Sequence, residues 1–481
     1  MKKFKSVLVC LTVLAMFIVL TACGGGSDAA EETPSPADPN GTTQEETPPP
    51  TEEPGDPVDP EDPEDQNLIH DMGERTIRLG AHWNIYPFDS SSARPDPATS
   101  DNYEADVMMY ERMRAIEQMY NVRFEIVNVD WGMMQETLVT SVLAGDPWAD
   151  IMQIEGPWFI PAIMNDLILP SEEFVRPHND IAGPQEVMRW DGQYFGRYWI
   201  FRETELNIYG AFLGYNRDIL DALGLPDPGE LANRGEWTWD AFMEMAITAT
   251  TGDTHGFSGT LNRHAFNFIA SNGVPIVNQI SLSHNLDSPA LMNAFQFIQD
   301  MYFTHRVAYL TNDDIWSWDA DWEFRNGNSL FFGWYHWMIP SGDEALPFNY
   351  GIVPFPIGPD NTSGTTHFNG PWGRGLLRGT ADPEWVYTIF EDLTRWWGDD
   401  RGILDDDGIT YLATILHTMD DINRLVDLST YTGLPDVSEN VPGLDAWRIW
   451  VPVALGEMTV AQAIETYRLE IENAIDNALN P

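Results

Sequence analysis

Cysteine and lysine are almost absent from this chain of 481 residues. The two cysteines are Cys10 and Cys23, and the three lysines are Lys2, Lys3 and Lys5. The remainder therefore cannot form a disulfide, bind a metal through thiolates or use a cysteine nucleophile. Every cation after position 5 is arginine or histidine.

Positive charge of any kind is scarce. The formal net charge is −50, and removal of the three N-terminal lysines would make it −53. Such a surface repels polyanions, which excludes nucleic acid as a partner. A lysine-free acidic protein suits salty or alkaline surroundings, where carboxylates stay hydrated and arginine stays charged. A codon bias against lysine explains the composition equally well.

The N-terminus has the pattern of an export signal. Basic residues 2–5 precede an apolar run over residues 7–20, which ends in Leu20-Thr21-Ala22-Cys23. The run is short for a bilayer span, which needs roughly 20 apolar residues. The ending resembles the bacterial lipoprotein signal, which implies cleavage after residue 22 and lipidation, including palmitate, at Cys23. The alternatives are an ordinary signal peptide that contains a lone cysteine, or an uncleaved anchor.

The segment that follows is typical of a spacer. Residues 24 to about 65 are mainly Gly, Ser, Thr, Pro, Asp and Glu, with little to bury. Proline and like charges extend such a chain. We predict a signal peptide over residues 1–22, a disordered acidic linker over residues 23–73, and a lipid-anchored protein on the extracellular face of the cell membrane.

Hydrophobic periodicity predicts alternating strands and helices at the start of the folded body. Strands are expected at residues 76–81, 122–127 and 150–154, and helices at residues 107–120 and 131–143. This order is typical of a parallel α/β sheet. Ligands bind at the carboxyl ends of such strands, so the segments after Ala81, Val129 and Ile154 should share one rim.

A second α/β region is expected further along the chain. The predicted strands are residues 212–216, 329–333 and 350–354, and the predicted helices are residues 217–223, 239–250, 291–303 and 459–479.

Seven short segments resemble, in order, the motifs of the family 1 extracellular solute-binding proteins, the maltose-binding-protein-like receptors of sugar-importing ABC transporters. Among them, residues 143–151 read LAGDPWADI and residues 237–242 read WTWDAF. The full set is residues 121–126, 143–151, 192–196 with 214–220, 237–242, 327–334, 351–356 and 451–464.

The resemblance covers about residues 75–479 and implies a two-lobed, type II periplasmic-binding-protein fold of class α/β, with a ligand cleft between the lobes. Lobe 1 would comprise residues 74–205 and 373–435, and lobe 2 residues 206–372 and 436–481. Crossovers are expected near residues 201–211 and 368–375. It also implies a monomeric receptor without enzymatic activity or cofactor, which delivers a carbohydrate to ABC permease subunits.

Aromatic richness supports a carbohydrate ligand. The chain has 19 Trp, 16 Tyr and 23 Phe. Flat rings can stack on the apolar faces of sugars, whereas a buried indole N–H needs a partner. Rim positions and the resemblance predict these ligand contacts: Trp83, Glu155, Trp158, Trp334, Tyr335, Trp372 and Trp447. For any one Trp, packing in the core is the alternative, and Trp237 and Trp239 are expected to be structural.

The sequence is also compatible with other functions and ligands. No metalloprotease, hydrolase-elbow or phosphate-loop motif is present, but a surface glycoside hydrolase would also use an aromatic cleft. A receptor for a sensor kinase is another alternative. An acidic sugar would require arginine in the cleft, where Arg374 and Arg197 are candidates. The acidic clusters at residues 319–323 and 405–408 lack calcium-loop spacing and are predicted to be solvated loops.

Overall fold

The computed structural model describes a large part of the chain after the predicted linker. The described residues are 68–83, 86–100, 103–170, 189–190, 197–198, 211–279, 281–310, 319–335, 338–339, 346–370, 373–394, 413, 416, 418–429 and 433–479. The predicted signal peptide, Cys23, Trp372 and the cluster at residues 405–408 lie outside them. None of the helices within these ranges has the length and apolar character needed to span a bilayer.

The strands of the described residues are short. They are β1 (Arg75–Ala81), β2 (Val122–Asn128), β3 (Ile151–Ile154), β4 (Arg189–Trp190), β5 (Arg197–Tyr198), β6 (Phe212–Asn216), β7 (His255–Ser258), β8 (Ser329–Trp334), β9 (Tyr350–Val353), β10 (Phe368–Asn369), β11 (Gly373–Leu376) and β12 (Leu434–Pro435).

The helices cover these sheets. They are α1 (Tyr103–Tyr120), α2 (Met134–Leu143), α3 (Phe159–Met164), α4 (Arg217–Leu223), α5 (Pro228–Arg234), α6 (Trp239–Ala249), α7 (Leu261–Ser271), α8 (Pro289–Gln299), α9 (Asp319–Arg325), α10 (Pro383–Thr394), α11 (Met419–Ser429), α12 (Trp447–Ala454) and α13 (Val460–Leu479).

The first lobe is built on a four-stranded sheet with the order β11-β3-β1-β2. Strands β1, β2 and β3 are parallel, and β11 is antiparallel to β3. Leu79 of β1 pairs with Ile126 on one side and Ile151 on the other. The predicted parallel α/β arrangement is therefore confirmed.

The second lobe contains another four-stranded sheet, with the order β7-β8-β6-β9. Strand β6 is antiparallel to β8 and β9, whereas β7 and β8 are parallel. Every residue of β6 and β8 is buried. At Gly214 a Cβ atom would collide with the Trp334 ring, so glycine is required for the close packing of these two strands.

The predicted elements are present, with shifted ends. The helix predicted from residue 107 begins at Tyr103. The one predicted over residues 291–303 ends at Gln299 and continues as a π-helical turn, Asp300–Thr304. The acidic stretch at residues 319–323 was predicted to be a loop, and this was wrong: it lies in α9, where Asp321 pairs with Arg325 at 2.6 Å.

The chain is attached to the first lobe before β1 begins. The backbone N–H of Ile69 donates to the carbonyl of Met119 at 2.7 Å, and that of Met72 donates to Tyr120 at 2.9 Å. The His70 ring stacks on Trp385 with centroids 3.8 Å apart. The last residues of the predicted linker therefore pack against the folded body.

Helix α11 belongs with the second sheet, although its residues fall in the range predicted for lobe 1. Its Asp421, 1% exposed, accepts hydrogen bonds from Arg217 at 3.0 Å and from the Ile352 amide at 3.3 Å. Arg424 of the same helix donates to the Ile352 carbonyl at 2.8 Å. Because a buried carboxylate needs such partners, Asp421 fixes α11 to β9. The other predicted lobe limits stay predictions.

Replacement of this carboxylate should destabilise the second lobe. In Asp421→Ala the guanidinium groups of Arg217 and Arg424 lose their buried counter-charge, so we expect the free energy of unfolding to fall by about 3–5 kcal/mol. Urea denaturation measures the change. The control is Asp287→Ala, which removes an exposed partner of Arg468 and should leave the midpoint near that of the wild type. Equal midpoints for both variants would contradict this role of Asp421.

Candidate functional site

Three turns meet at the carboxyl ends of β1, β2 and β3. They carry His82 and Trp83, then Trp131, then Trp158. The ring centroids of Trp131 and Trp158 are 4.1 Å apart, and His82 lies 4.8 Å from Trp131 and 6.1 Å from Trp83. We call these four side chains the aromatic platform.

The platform combines accessible and buried rings. Trp83 is 53% exposed and Trp131 is 47% exposed, whereas Trp158 is buried beneath them. A cluster of large, half-exposed aromatic side chains at one end of a sheet is typical of a surface that binds a ligand or a partner protein. The two outer indoles therefore provide flat surfaces on which a ligand could stack.

A glycine shapes the turn below Trp131. Gly156 has a φ of +55°, which side chains with a Cβ rarely adopt, and it is followed by Pro157 in the 3-10 turn Gly156–Trp158. A Cβ atom at this position would lie 3.2 Å from the Trp131 ring. The absence of a side chain thus allows Trp131 to lie directly over the backbone of the turn.

Glu155 places a carboxylate beside the platform. Gln153 donates to its Oε1 at 3.0 Å, and the Nδ1 atom of His82 lies 3.5 Å from the same oxygen. Burial raises the pKa of Glu155, although the charges of Arg374 and Arg263 oppose the shift. Burial and the nearby Arg374 lower the pKa of His82 to about 4, so this ring is neutral at physiological pH.

Arg374 of β11 contributes a buried cation to the first lobe. Its Nε donates to the hydroxyl of Tyr86 at 2.9 Å, and its guanidinium lies 5.7 Å from the centre of the Tyr86 ring. These contacts hold the guanidinium within the lobe, where its charge stabilises the ionised form of Glu155.

The second lobe presents a different arginine to the same region. Arg263, in the first turn of α7, is exposed, and no described residue forms a hydrogen bond or an ion pair with its guanidinium. Desolvation opposes its charge, but Glu439, Tyr335 and Glu155 together raise the pKa of Arg263. Since Glu155 belongs to the first lobe, this interaction couples charges of the two lobes.

The predicted contacts do not all lie together. Trp83, Glu155 and Trp158 come together at the platform. Tyr335 follows β8, is partly buried, and lies 6.1 Å from His264 with the rings nearly parallel. Trp447 begins α12 and is partly buried against the core.

Trp334 lies in the core of the second lobe. It is 1% exposed and packs edge-on against Phe324 and Tyr350 in the second lobe, so neither face of its ring is available for stacking. Trp372 lies outside the described residues, and only the backbone of Arg197 is described.

Trp237 and Trp239 are core residues, as predicted. Each indole N–H has a partner: Trp237 donates to the Pro354 carbonyl at 2.8 Å and Trp239 to the Ser271 hydroxyl at 3.0 Å.

Sequence reasoning missed Trp131 and Arg263. The rim after Val129 was predicted, so Trp131, two residues further on, carried a usable signal. It was instead assigned to the start of a helix, whereas that helix begins at Met134 after a 3-10 turn. Arg263 gave no comparable signal, because α7 itself was not predicted.

No group of three or more His, Cys, Asp or Glu side chains in the described part of the chain is arranged to hold an ion.

Two α/β lobes, each built on a four-stranded sheet, correspond to the type II periplasmic-binding-protein fold. Residues 104–388, more than half of the chain, match the model of the bacterial extracellular solute-binding protein family. The chain belongs to this family, the solute-binding proteins of ABC transporters. No curated protein sequence is significantly similar to it.

Solved structures of low sequence identity share the fold. The ABC substrate-binding protein Lmo0181 from Listeria monocytogenes, in complex with cycloalternan, has a TM-score of 0.55 at 15% identity and covers 84% of this chain and 98% of its own. The maltose/maltodextrin-binding domain MalE from Bdellovibrio bacteriovorus, bound to maltotriose, has a TM-score of 0.53 at 12% identity, with coverages of 83% and 100%. UgpB from Mycobacterium tuberculosis, in complex with glycerophosphocholine, has a TM-score of 0.55 at 14% identity, with coverages of 79% and 98%.

The lowered pKa of His82 predicts a pH-dependent contribution to stability. The unfolded chain binds a proton at this residue near pH 6.5, whereas the folded chain does so only near pH 4. Stability from the neutral ring should therefore be lost as the pH falls from about 6.5 to 4. In His82→Gln this part of the pH dependence should disappear. Urea denaturation of both proteins at pH 7, 5 and 4 measures it, and parallel pH profiles would show that the native ring is not held neutral.

Proposed function

We propose that this protein is an extracellular receptor that binds an oligosaccharide between its two lobes. The observation that carries the proposal is the aromatic platform, where the half-exposed Trp83 and Trp131 flank His82, which in turn lies 3.5 Å from Glu155. Sugars combine apolar C–H faces with a rim of hydroxyl groups, so exposed indole rings next to a carboxylate suit them.

The polar groups around the platform can both accept hydrogen bonds from hydroxyl groups and donate hydrogen bonds to them. Glu155 can accept hydrogen bonds, and the guanidinium of Arg263 can donate them. A sugar hydroxyl does both, so one neutral ligand can use groups of opposite charge. The ligands of two structural neighbours, cycloalternan and maltotriose, support a carbohydrate, whereas glycerophosphocholine in UgpB illustrates that the fold also serves other solutes.

Function then depends on lobe closure. A ligand on the platform touches Arg263 only when the second lobe is close to the first, so binding favours the closed state through contacts that the open state lacks. We propose that the closed, monomeric receptor delivers its ligand to ABC permease subunits and performs no chemistry on it.

The proposed location at the cell membrane is based on the N-terminal segment. Lipidation at Cys23 after removal of residues 1–22, followed by the acidic, proline-rich linker to residue 73, would anchor the receptor to the outer face of the cell membrane within reach of the permease.

Removal of either exposed indole should weaken sugar binding. For Trp83→Ala and Trp131→Ala we expect the Kd for maltotriose, or for the tightest glycan of a neutral panel, to rise at least tenfold, or about 1.4 kcal/mol. Isothermal titration calorimetry measures the change. The matched control is Trp322→Ala, which removes an indole that is 62% exposed on α9, away from the platform.

Several outcomes would count against this function. Binding of peptides or polyamines without binding of any glycan would refute the carbohydrate proposal. Equal losses in Trp322→Ala and the platform variants would remove the platform from the site. New reducing ends after incubation with polysaccharide would favour a glycoside hydrolase over a receptor.

The lipid anchor has its own test. Cys23→Ser removes the thiol that would carry the lipid, so the exported protein should move from the membrane fraction to the medium and should no longer incorporate labelled palmitate. Membrane fractionation with metabolic labelling measures both. Retention of the variant in the membrane would instead indicate an uncleaved hydrophobic anchor.

A further inference from the structure

One hydrogen bond connects the two lobes directly beneath the aromatic platform. It joins Asn440, in the 3-10 turn Ser438–Asn440, to Gly156, in the turn after β3. The Nδ2 atom of Asn440 donates to the carbonyl of Gly156 at 3.1 Å, and Asn440 is 2% exposed. A buried amide donor such as this one is costly to leave unsatisfied.

The turn that carries Asn440 is fixed to the second lobe. The buried carboxylate of Asp436 accepts from the backbone N–H groups of Ile276 and Ser438, the latter at 2.8 Å. The N–H of Val437 in turn donates to the Val277 carbonyl at 3.2 Å. Movement of the second lobe must therefore move Asn440 with it.

On the other side of the bond, Gly156 supports Trp131. The ring of Trp131 lies so close to this glycine that an added Cβ would be only 3.2 Å from it. Trp131 also packs against Trp158, which ends the same 3-10 turn. The position of the Gly156 carbonyl is thus coupled to the position of an exposed ring of the platform.

We propose that Asn440 is a positioning residue that links closure of the second lobe to the geometry of the aromatic platform. When the lobes are together, its amide holds the Gly156 turn and so fixes Trp131 for stacking. When they separate, the turn loses this bond, and Trp131 keeps only its contacts within the first lobe, with Trp158 and His82. The inference rests on the proposed function in that the platform is taken as the ligand site.

Charged residues flank the hydrogen bond on both sides. Glu439 attracts Arg263 within the second lobe, and Arg263 attracts Glu155, which directly precedes Gly156. Glu439 and Glu155 repel each other, but Arg263 attracts both, so its charge offsets the repulsion between the two segments that the hydrogen bond joins.

The first test needs no ligand. Asn440→Asp keeps the shape of the side chain but places a carboxylate oxygen, which cannot donate when ionised, against the Gly156 carbonyl. We expect hydrogen–deuterium exchange of the Met133 and Phe159 amides, which donate to the carbonyls of Asp130 and Gly156 within these turns, to accelerate about tenfold, with little change in the sheets. Asn440→Ala, which removes the donor without adding charge, should give the same local pattern if the aspartate variant folds poorly.

A second readout follows lobe closure. In the mature chain Cys23 is the remaining cysteine, so Cys23→Ser with Gln135→Cys on α2 and Glu244→Cys on α6 allows one spin label on an exposed position of each lobe. Double electron–electron resonance should show a shift toward longer distances in the Asn440 variants than in the labelled parent.

Asn285→Asp is the matched control, because its Nδ2 donates to the Pro275 carbonyl at 2.8 Å within the second lobe alone. Local acceleration and longer distances in the Asn440 variants, but not in this control, would support the proposal. The same exchange pattern in both, general loss of protection, or unchanged distances would overturn it. Failure of the parent to bind any glycan would refute the proposed ligand class without altering this result.

Discussion

The parallel alignment of β1, β2 and β3 is the constraint on which the site depends. Strands that run the same way end at the same edge of a sheet, so the turns after Ala81, Asn128 and Ile154 must meet there. The register fixes this in detail, since Ala81 pairs with Asn128 and the turn with Gly156 begins two residues after Ile154. Three residues far apart in the sequence, Trp83, Trp131 and Glu155, thereby form one surface.

The balance of positive and negative charge differs between the surface as a whole and the cleft. The chain as a whole is strongly acidic, but the cleft contains cations with distinct environments. Arg374 is buried and bound to Tyr86, whereas Arg263 is exposed and its guanidinium has no hydrogen-bonded partner among the described residues. Each lies near a carboxylate, so the site is far closer to neutrality than the rest of the protein. A hydroxyl-rich, neutral solute is compatible with this balance, whereas an added anion would face Glu155 and Glu439.

Sequence pattern predicted the fold better than it predicted the site. In β2, buried and exposed residues alternate over Val122–Glu125, which is the period that identifies a strand. Pattern also predicted the strands and helices of the second region, and the family resemblance implied the two-lobed arrangement. The accessibility of a side chain cannot be inferred from its neighbours in the sequence, because it depends on residues from other elements. Trp334 ends a strand, as a rim residue should, yet Phe324 and Tyr350 enclose it, and Gly214 on the neighbouring strand leaves room for it.

Long-range contacts explain the remaining differences between the predictions from sequence and the structure. Helix α11 could be assigned to the first lobe from its order in the chain, but the pairing of Asp421 with Arg217, more than 200 residues earlier, holds it on the second sheet. The Asn440–Gly156 bond joins residues that are 284 positions apart. In a two-lobed protein such contacts determine which segments move together, so residues without any local motif can control the site. Asn440 is one of these, because a single amide on one lobe supports a stacking ring on the other.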